Sequence, residues 1–195
     1  MSNSAETCEP VTRMSRHEYR LWTAQQPRGR FERINGIVVA RDGATAMSPE
    51  RASHNLAKLN IRDALRHAIR RVGLPCQAFG DGMTVEVDDS DYEPDAVVRC
   101  GETRLPPDAI AVPDPLIIVE VLSPATSGTD RAWKLPEYFK LPAVRHYLIV
   151  WPEKQQIAHH RRGAEGAIET RIVMNGDVTL DPPGITFAIE EVYAP

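Results

Sequence analysis

No stretch of this sequence stays apolar for the roughly 20 residues a helix needs to cross a bilayer, so no membrane association is expected. The opening residues Met1 to Glu6 lack a basic segment followed by an apolar one, which argues against a secretory leader. Cysteine is scarce. Cys8, Cys76 and Cys100 are odd in number and show no paired metal-ligand spacing, a pattern that fits reduced thiols and a cytoplasmic protein. An excess of positive charge is also absent: the formal net charge is −4, which argues against a protein that coats nucleic acid through bulk electrostatics. An acidic site bridged by metal beside a local basic ridge remains compatible with that balance. No internal repeat or low-complexity segment is visible.

What is present suits one globular domain. The 195 residues are enough for a sizeable core and too few for two comfortable domains. Residues 1–12 are polar and aperiodic and read as a mobile tail, leaving 13–195 as the domain. Met14 to Gln26 reads as a short helix, with Ser15 as N-cap and Glu18 completing a capping box. Phe31 to Ala40 reads as a hairpin turning at Asn35-Gly36.

Ser53 to Val72 carries the clearest helical period. Ser53 is placed to cap it, Ile61, Leu65, Ala68, Ile69 and Val72 to face the core, and Gly73 and Pro75 to end it. Lys58, Arg62, Arg66 and Arg70 follow at four-residue steps. They read either as a solvated helix face or as a phosphate-contacting ridge.

Strands are expected over Gln77 to Val87, Asp95 to Arg99 and Leu116 to Leu122, with Asp88 to Asp91 an exposed turn and Pro106 to Pro115 a loop. A helix over Asp130 to Leu141 and a strand over Arg145 to Trp151 then imply a parallel crossover. Ile157 to Arg161, Glu169 to Met174 and Val178 to Leu180 read as a small antiparallel extension.

Two acids stand out within this frame. Glu120 interrupts the apolar run Leu116 to Leu122, and Asp95 follows Pro94 at the head of another strand. A carboxylate buried in such a run costs several kcal/mol, on the order expected of an unpaired buried ion, unless something offsets it. Two strand carboxylates aimed at one point suit a divalent cation. His159-His160 do not, because neighbours on a strand point to opposite faces. Trp22, Trp133, Trp151, Tyr138, Phe139 and Tyr147 read as core and interface rather than base-stacking platforms.

At motif level, Tyr92-Glu-Pro-Asp-Ala-Val-Val98 resembles the first catalytic strand of the PD-(D/E)xK nuclease superfamily. Ile118-Val-Glu-Val-Leu-Ser-Pro124, followed by Asp130, Lys134 and Tyr138 at four-residue steps, is similar to its Uma2 (DUF820) branch. Phe31 to Gly36, Ser48-Pro49, His54 and the strand Arg145 to Val150 extend the likeness over most of the chain.

The resemblance implies a restriction-endonuclease-like α/β (mixed α+β) fold: a mixed central sheet flanked by helices, with an N-terminal hairpin and a small C-terminal antiparallel extension. It also implies a metal-dependent endonuclease acting on DNA. Asp95, Glu120 and the Val121 carbonyl would hold Mg²⁺ or Mn²⁺, with Glu32 and His54 as accessory candidates. The superfamily lysine belongs two residues after Glu120, where Leu122 stands; the branch implies Lys134 as its substitute, orienting the attacking water. Pro136 either kinks a helix that starts at Asp130 or sits in its first turn and leaves Lys134 in the preceding loop. A homodimer would supply two sites for two strands. Leu122 and Pro136 favour a rival, a nuclease fold that has lost its chemistry and serves in binding or assembly. A weaker third reading is a metal-free hydrolase using Asp95 and Glu120 as acid and base.

Overall fold

The computed structural model describes residues 13–26, 30–40, 51–122 and 133–194. Helix α1 spans Arg16–Ala24, and its capping box forms as the sequence suggests: Ser15 Oγ accepts from the Glu18 amide while Glu18 Oε2 accepts from the Ser15 amide at 2.8 Å. Strands β1 (Phe31–Ile34) and β2 (Ile37–Ala40) form the expected hairpin. Asn35 (φ 49°) and Gly36 (φ 78°) both take the left-handed conformation that a two-residue turn between twisted strands requires.

Helix α2 (Ala52–Val72) is followed by β3 (Cys76–Gly80), β4 (Val85–Val87), β5 (Ser90–Tyr92), β6 (Ala96–Cys100) and β7 (Ile117–Val121). Short helix α3 (Lys134–Tyr138) leads to β8 (His146–Trp151), β9 (Gln156–Arg162) and β10 (Ile168–Val173). A hairpin of β11 (Asp177–Leu180) and β12 (Ile185–Ala188) precedes α4 (Ile189–Val192). The main sheet has six strands in the order β10-β9-β8-β7-β6-β3, with β7 and β8 parallel and every other pair antiparallel. A second sheet, β2-β1-β5-β4, is antiparallel.

Strand β7 lies in the middle of the main sheet and is buried on both faces. Ile117, Val119 and Val121 join one apolar layer with Ile61, Leu65, Ala68 and Ile69 of α2 and with Leu180, Phe187 and Val192 of the C-terminal hairpin and helix. Ile118 joins the opposite layer with Val85, Val87, Tyr92, Val97, Tyr138 and Tyr147. Each fully buried aliphatic side chain contributes about 1.5–3 kcal/mol. The alternation places Glu120 on the second face, at a point where a sheet interior surrounds it. No described helix is long and apolar enough to cross a membrane.

Several expectations are corrected. Gln77 to Val87 is not one strand: the chain turns at Asp81-Gly82, where Gly82 has φ 90°, and β3 and β4 enter different sheets. Asp88 and Asp89 do form a turn, but Ser90 and Asp91 belong to β5. Asp91 is buried because the guanidinium of fully buried Arg33 reaches it at 2.6 Å and Arg16 at 2.8 Å. Ser53 lies inside α2 and does not cap it, since Arg51 occupies the N-cap without a side-chain bond. Val72, at the helix end, is half exposed. Left-handed Gly73 ends the helix as expected.

The residues after β8 are more than an appendage. β9 and β10 extend the main sheet, and only β11 and β12 stand apart as a hairpin. Cys76 and Cys100, 24 residues apart, face each other in the β3–β6 register and form a disulfide, so these two are not reduced thiols. Residues 1–12, Ser48-Pro49, Ser123-Pro124 and Asp130 lie outside the described residues.

Candidate active site

Asp95 immediately precedes β6, and its amide donates to Val119 O at 3.0 Å. Ala96 pairs with Val119 in the antiparallel β6–β7 register, so Asp95 and Glu120 are each the chain neighbour of one member of that pair. The Val121 amide donates to Asp95 Oδ2 at 2.7 Å, which fixes that carboxylate against the end of β7. Both acids are buried, Asp95 at 2% exposure and Glu120 at 0%.

Each carboxylate has an ammonium. Lys134 Nζ lies 3.1 Å from Glu120 Oε1 and 2.7 Å from Glu32 Oε1. Glu32, on β1, also accepts from the Glu93 amide at 3.0 Å, so the N-terminal hairpin is tied to the segment leading into β6. On the other side Lys58 Nζ is 3.6 Å from Asp95 Oδ1 and 2.8 Å from Asp81 Oδ2. Burial pushes the Asp81 carboxyl up, but the Lys58 bond and the charges of Lys58 and Arg30 outweigh it and hold that acid below its ordinary value.

Helix α3 resolves the position of Pro136. The described helix begins at Lys134, which places Pro136 in its first turn, where a missing amide costs no internal hydrogen bond. Lys134 is therefore helical and not in a preceding loop. Tyr138, one turn on, presents its hydroxyl to the same acceptor and donates to Glu120 Oε1 at 3.0 Å. Burial, followed by the charge of Glu120, raises the Tyr138 phenol well above its ordinary range, so it stays protonated as a donor.

The basic series on α2 separates. Each four-residue step advances about 40° around a helix, so twelve residues turn the series by about a third of a revolution. Lys58 faces inward and is buried, Arg62 and Arg66 are partly exposed beside Asp63, and Arg70 is in solvent. Lys58 thus belongs with the carboxylates and not with a solvated ridge. His54, one turn before Lys58, is buried, and its Nδ1 has no hydrogen-bond partner among the described residues. No described contact links it to Asp95 or Glu120.

His159 and His160 diverge, as strand geometry requires. His159 Nε2 is 2.8 Å from His146 Nδ1, while His160 Nδ1 is 2.8 Å from Thr170 Oγ1. Tyr138, Phe139 and Tyr147 are buried, and Trp22, Trp133 and Trp151 are partly so.

Asp81 and the hydroxyl role of Tyr138 were not apparent from sequence. The four-residue spacing of Lys134 and Tyr138 was the available signal for the second, and nothing local marks the first. Chemically, the site offers hard oxygen donors on adjoining strands, two compensating ammoniums and one neutral phenol donor. Among the described residues no group of three or more His, Cys, Asp or Glu side chains is arranged to hold a metal. A cation here would take the two carboxylates and complete its shell from backbone, water and substrate oxygens, a donor set that suits magnesium.

Comparison with known proteins bears on family and fold. The Uma2 family model, described as "Putative restriction endonuclease", matches residues 16–190. An "Uncharacterized protein" of Synechocystis sp. is 25% identical over 190 residues, which cover 94% of this chain and 93% of the relative. The crystal structure of "a putative nuclease belonging to DUF820" from Anabaena variabilis aligns with a TM-score of 0.70 at 15% identity, over 93% of this chain and 98% of that one. That likeness is one of fold. With a family model spanning both sheets and every site residue described above, the chain belongs to the Uma2 family.

Proposed function

We propose that this protein is a Mg²⁺- or Mn²⁺-dependent endonuclease that hydrolyses DNA phosphodiester bonds. The observation that carries the reading is buried Asp95, fixed by the Val121 amide at 2.7 Å against the end of β7, together with buried Glu120 of that strand, whose Oε1 lies 3.1 Å from Lys134 Nζ. Asp95, Glu120 and the Val121 carbonyl would hold the cation, which when bound polarises the scissile phosphate and acidifies a water for in-line attack.

The remaining roles belong to the chain. Tyr138 stays protonated and holds Glu120 Oε1 in one orientation. Lys134 carries three donors; with DNA bound it exchanges its bond to Glu32 for one to the attacking water or a phosphoryl oxygen, while Glu120 keeps it in place. Glu32 positions Lys134 before substrate arrives. Lys58 offsets charge beside Asp95, and Arg62, Arg66 and Arg70 continue outward as contacts for flanking phosphates.

Plasmid cleavage with Mg²⁺ or Mn²⁺ tests the reading. The wild type should nick or linearise the plasmid, Glu120→Ala should be inactive, and Lys134→Ala should lose at least ~100-fold, in the range of a missing general-acid/base or electrostatic group. Equal cleavage by all three proteins would expose a contaminant. Loss with Glu120→Ala alone would retain the carboxylates and discard the lysine.

A second reading, a nuclease fold without chemistry that serves in binding or assembly, is favoured by Leu122 at the superfamily lysine position and by the ammonium of Lys134 already bridging Glu32 and Glu120. An inactive wild type that binds no divalent cation would decide for it.

A further inference from the structure

Strand β10 forms an edge of the main sheet and pairs with β9 in six consecutive residue pairs, with no proline or bulge in the strand. Among the described residues nothing pairs with its outer side. Natural edge strands are usually guarded by such irregularities or by charges that repel a second strand. Here the outer face carries Ile168 (37% exposed) and Ile172 (48% exposed) on either side of Thr170. Glu169 and Arg171 alternate with them and point to the opposite face.

The geometry points to this edge as a self-pairing surface whose partner is β10 of a second copy of the chain, antiparallel and centred on Thr170. In that register Glu169 lies opposite Arg171 of the second copy, Ile168 opposite Ile172, and Thr170 opposite Thr170. The sequence Ile168-Glu-Thr-Arg-Ile172 is thus complementary to itself read backwards, in charge and in apolar character alike.

In a continuous sheet, side chains opposite one another share a face, so the register can shift only so that like-facing residues remain opposed. The nearest shift in one direction puts Glu169 against Glu169, and in the other Arg171 against Arg171. Like charges directly opposite are unfavourable, so the register centred on Thr170 is the one selected. It is compatible with either phase of backbone hydrogen bonding along β10, because the axis through Thr170 falls on a paired position in both.

The intrachain contacts leave this open. Glu169 already meets Arg161 of β9 through an ion pair, whereas Arg171 is exposed and makes no ion pair among the described residues. Association would give Arg171 a carboxylate and place Glu169 between two guanidiniums. The face formed is an interface between copies of this chain and is independent of whether the site cleaves DNA.

Sedimentation velocity from ~1 to ~200 µM tests it, a range suited to a small interface held by one strand pair. The wild type should dimerise within that range. Arg171→Glu and Glu169→Arg should each weaken association at least 10-fold, because each places like charges opposite one another. An equimolar mixture of the two variants should form heterodimers, because all four charges then oppose in sign. Ile172→Lys, at an exposed position away from the ion pairs, should also dissociate the dimer with its circular dichroism spectrum unchanged. A wild type that stays monomeric at the highest concentration would overturn the proposal. So would dimers untouched by these substitutions, or variants that fail to associate when mixed.

Discussion

Lys134 Nζ lies 3.1 Å from Glu120 Oε1, bridging α3 to an acid near the end of β7, fourteen residues earlier. The strand alone would leave Glu120 as a costly buried ion; the helix that follows it supplies the cation. Breaking a buried pair from one side typically costs about 3–5 kcal/mol, because the remaining charge stays in the interior. Lys134→Ala should therefore lower stability in EDTA by about 3 kcal/mol, measured by urea denaturation. Added Mg²⁺ should recover more stability in this variant than in the wild type, since a bound cation replaces the missing charge.

Tyr138 donates to the same Glu120 oxygen at 3.0 Å from within a fully buried layer. Tyr138→Phe keeps the ring and removes only the hydroxyl. The expected cost is about 2 kcal/mol in denaturant unfolding, the usual worth of a bond to a charged acceptor. Plasmid cleavage should fall with it while remaining detectable, because Lys134 still restrains Glu120.

The pair His146 and His159 makes stability depend on pH. Pro182 O can only accept, so His146 Nε2–H donates to it and His146 Nδ1 accepts from His159 Nε2–H, an arrangement that requires a neutral His146. Burial first, then His146 and Arg161, push His159 down to about 4 from an ordinary value of 6.5. The folded value is the lower one, so the unfolded chain takes up the proton first as pH falls. Stability should be level above pH 6.5 and decline between 6.5 and about 4. Thermal unfolding across that window checks this, and His159→Gln should flatten the slope.

Cys76 and Cys100 join the edge strand β3 to β6, the strand that Asp95 leads into. Peptide mapping without reductant should recover the two cysteines in one cross-linked species. Cys100→Ser should destabilise the protein by about 3 kcal/mol, as expected for a loop of this order.

How much of this was legible beforehand depended on how local the cause was. The capping box at Ser15 and the Asn35-Gly36 turn are set by a few adjacent residues and formed as read. Glu120 was conspicuous because one acid in an apolar strand breaks a pattern, and the parallel β7–β8 pairing followed from the order of elements. Lys58 was misplaced because four-residue spacing hides a slow rotation, which turns one end of a basic series into the core. Asp91 read as turn because its cation, Arg33, lies 58 residues away. Cys76 and Cys100 meet only through strand register, which no spacing rule supplies. Pro136 left two helix starts open, and the answer came from where α3 docks, with Lys134 and Tyr138 both directed at Glu120.

Whether Asp95 and Glu120 hold a divalent cation is read from calorimetric titration of Mn²⁺ into the wild type and into Asp95→Ala. One binding event is expected for the wild type and none for the variant, with both proteins folded by circular dichroism. No binding by the wild type, or equal binding by Asp95→Ala, would contradict it.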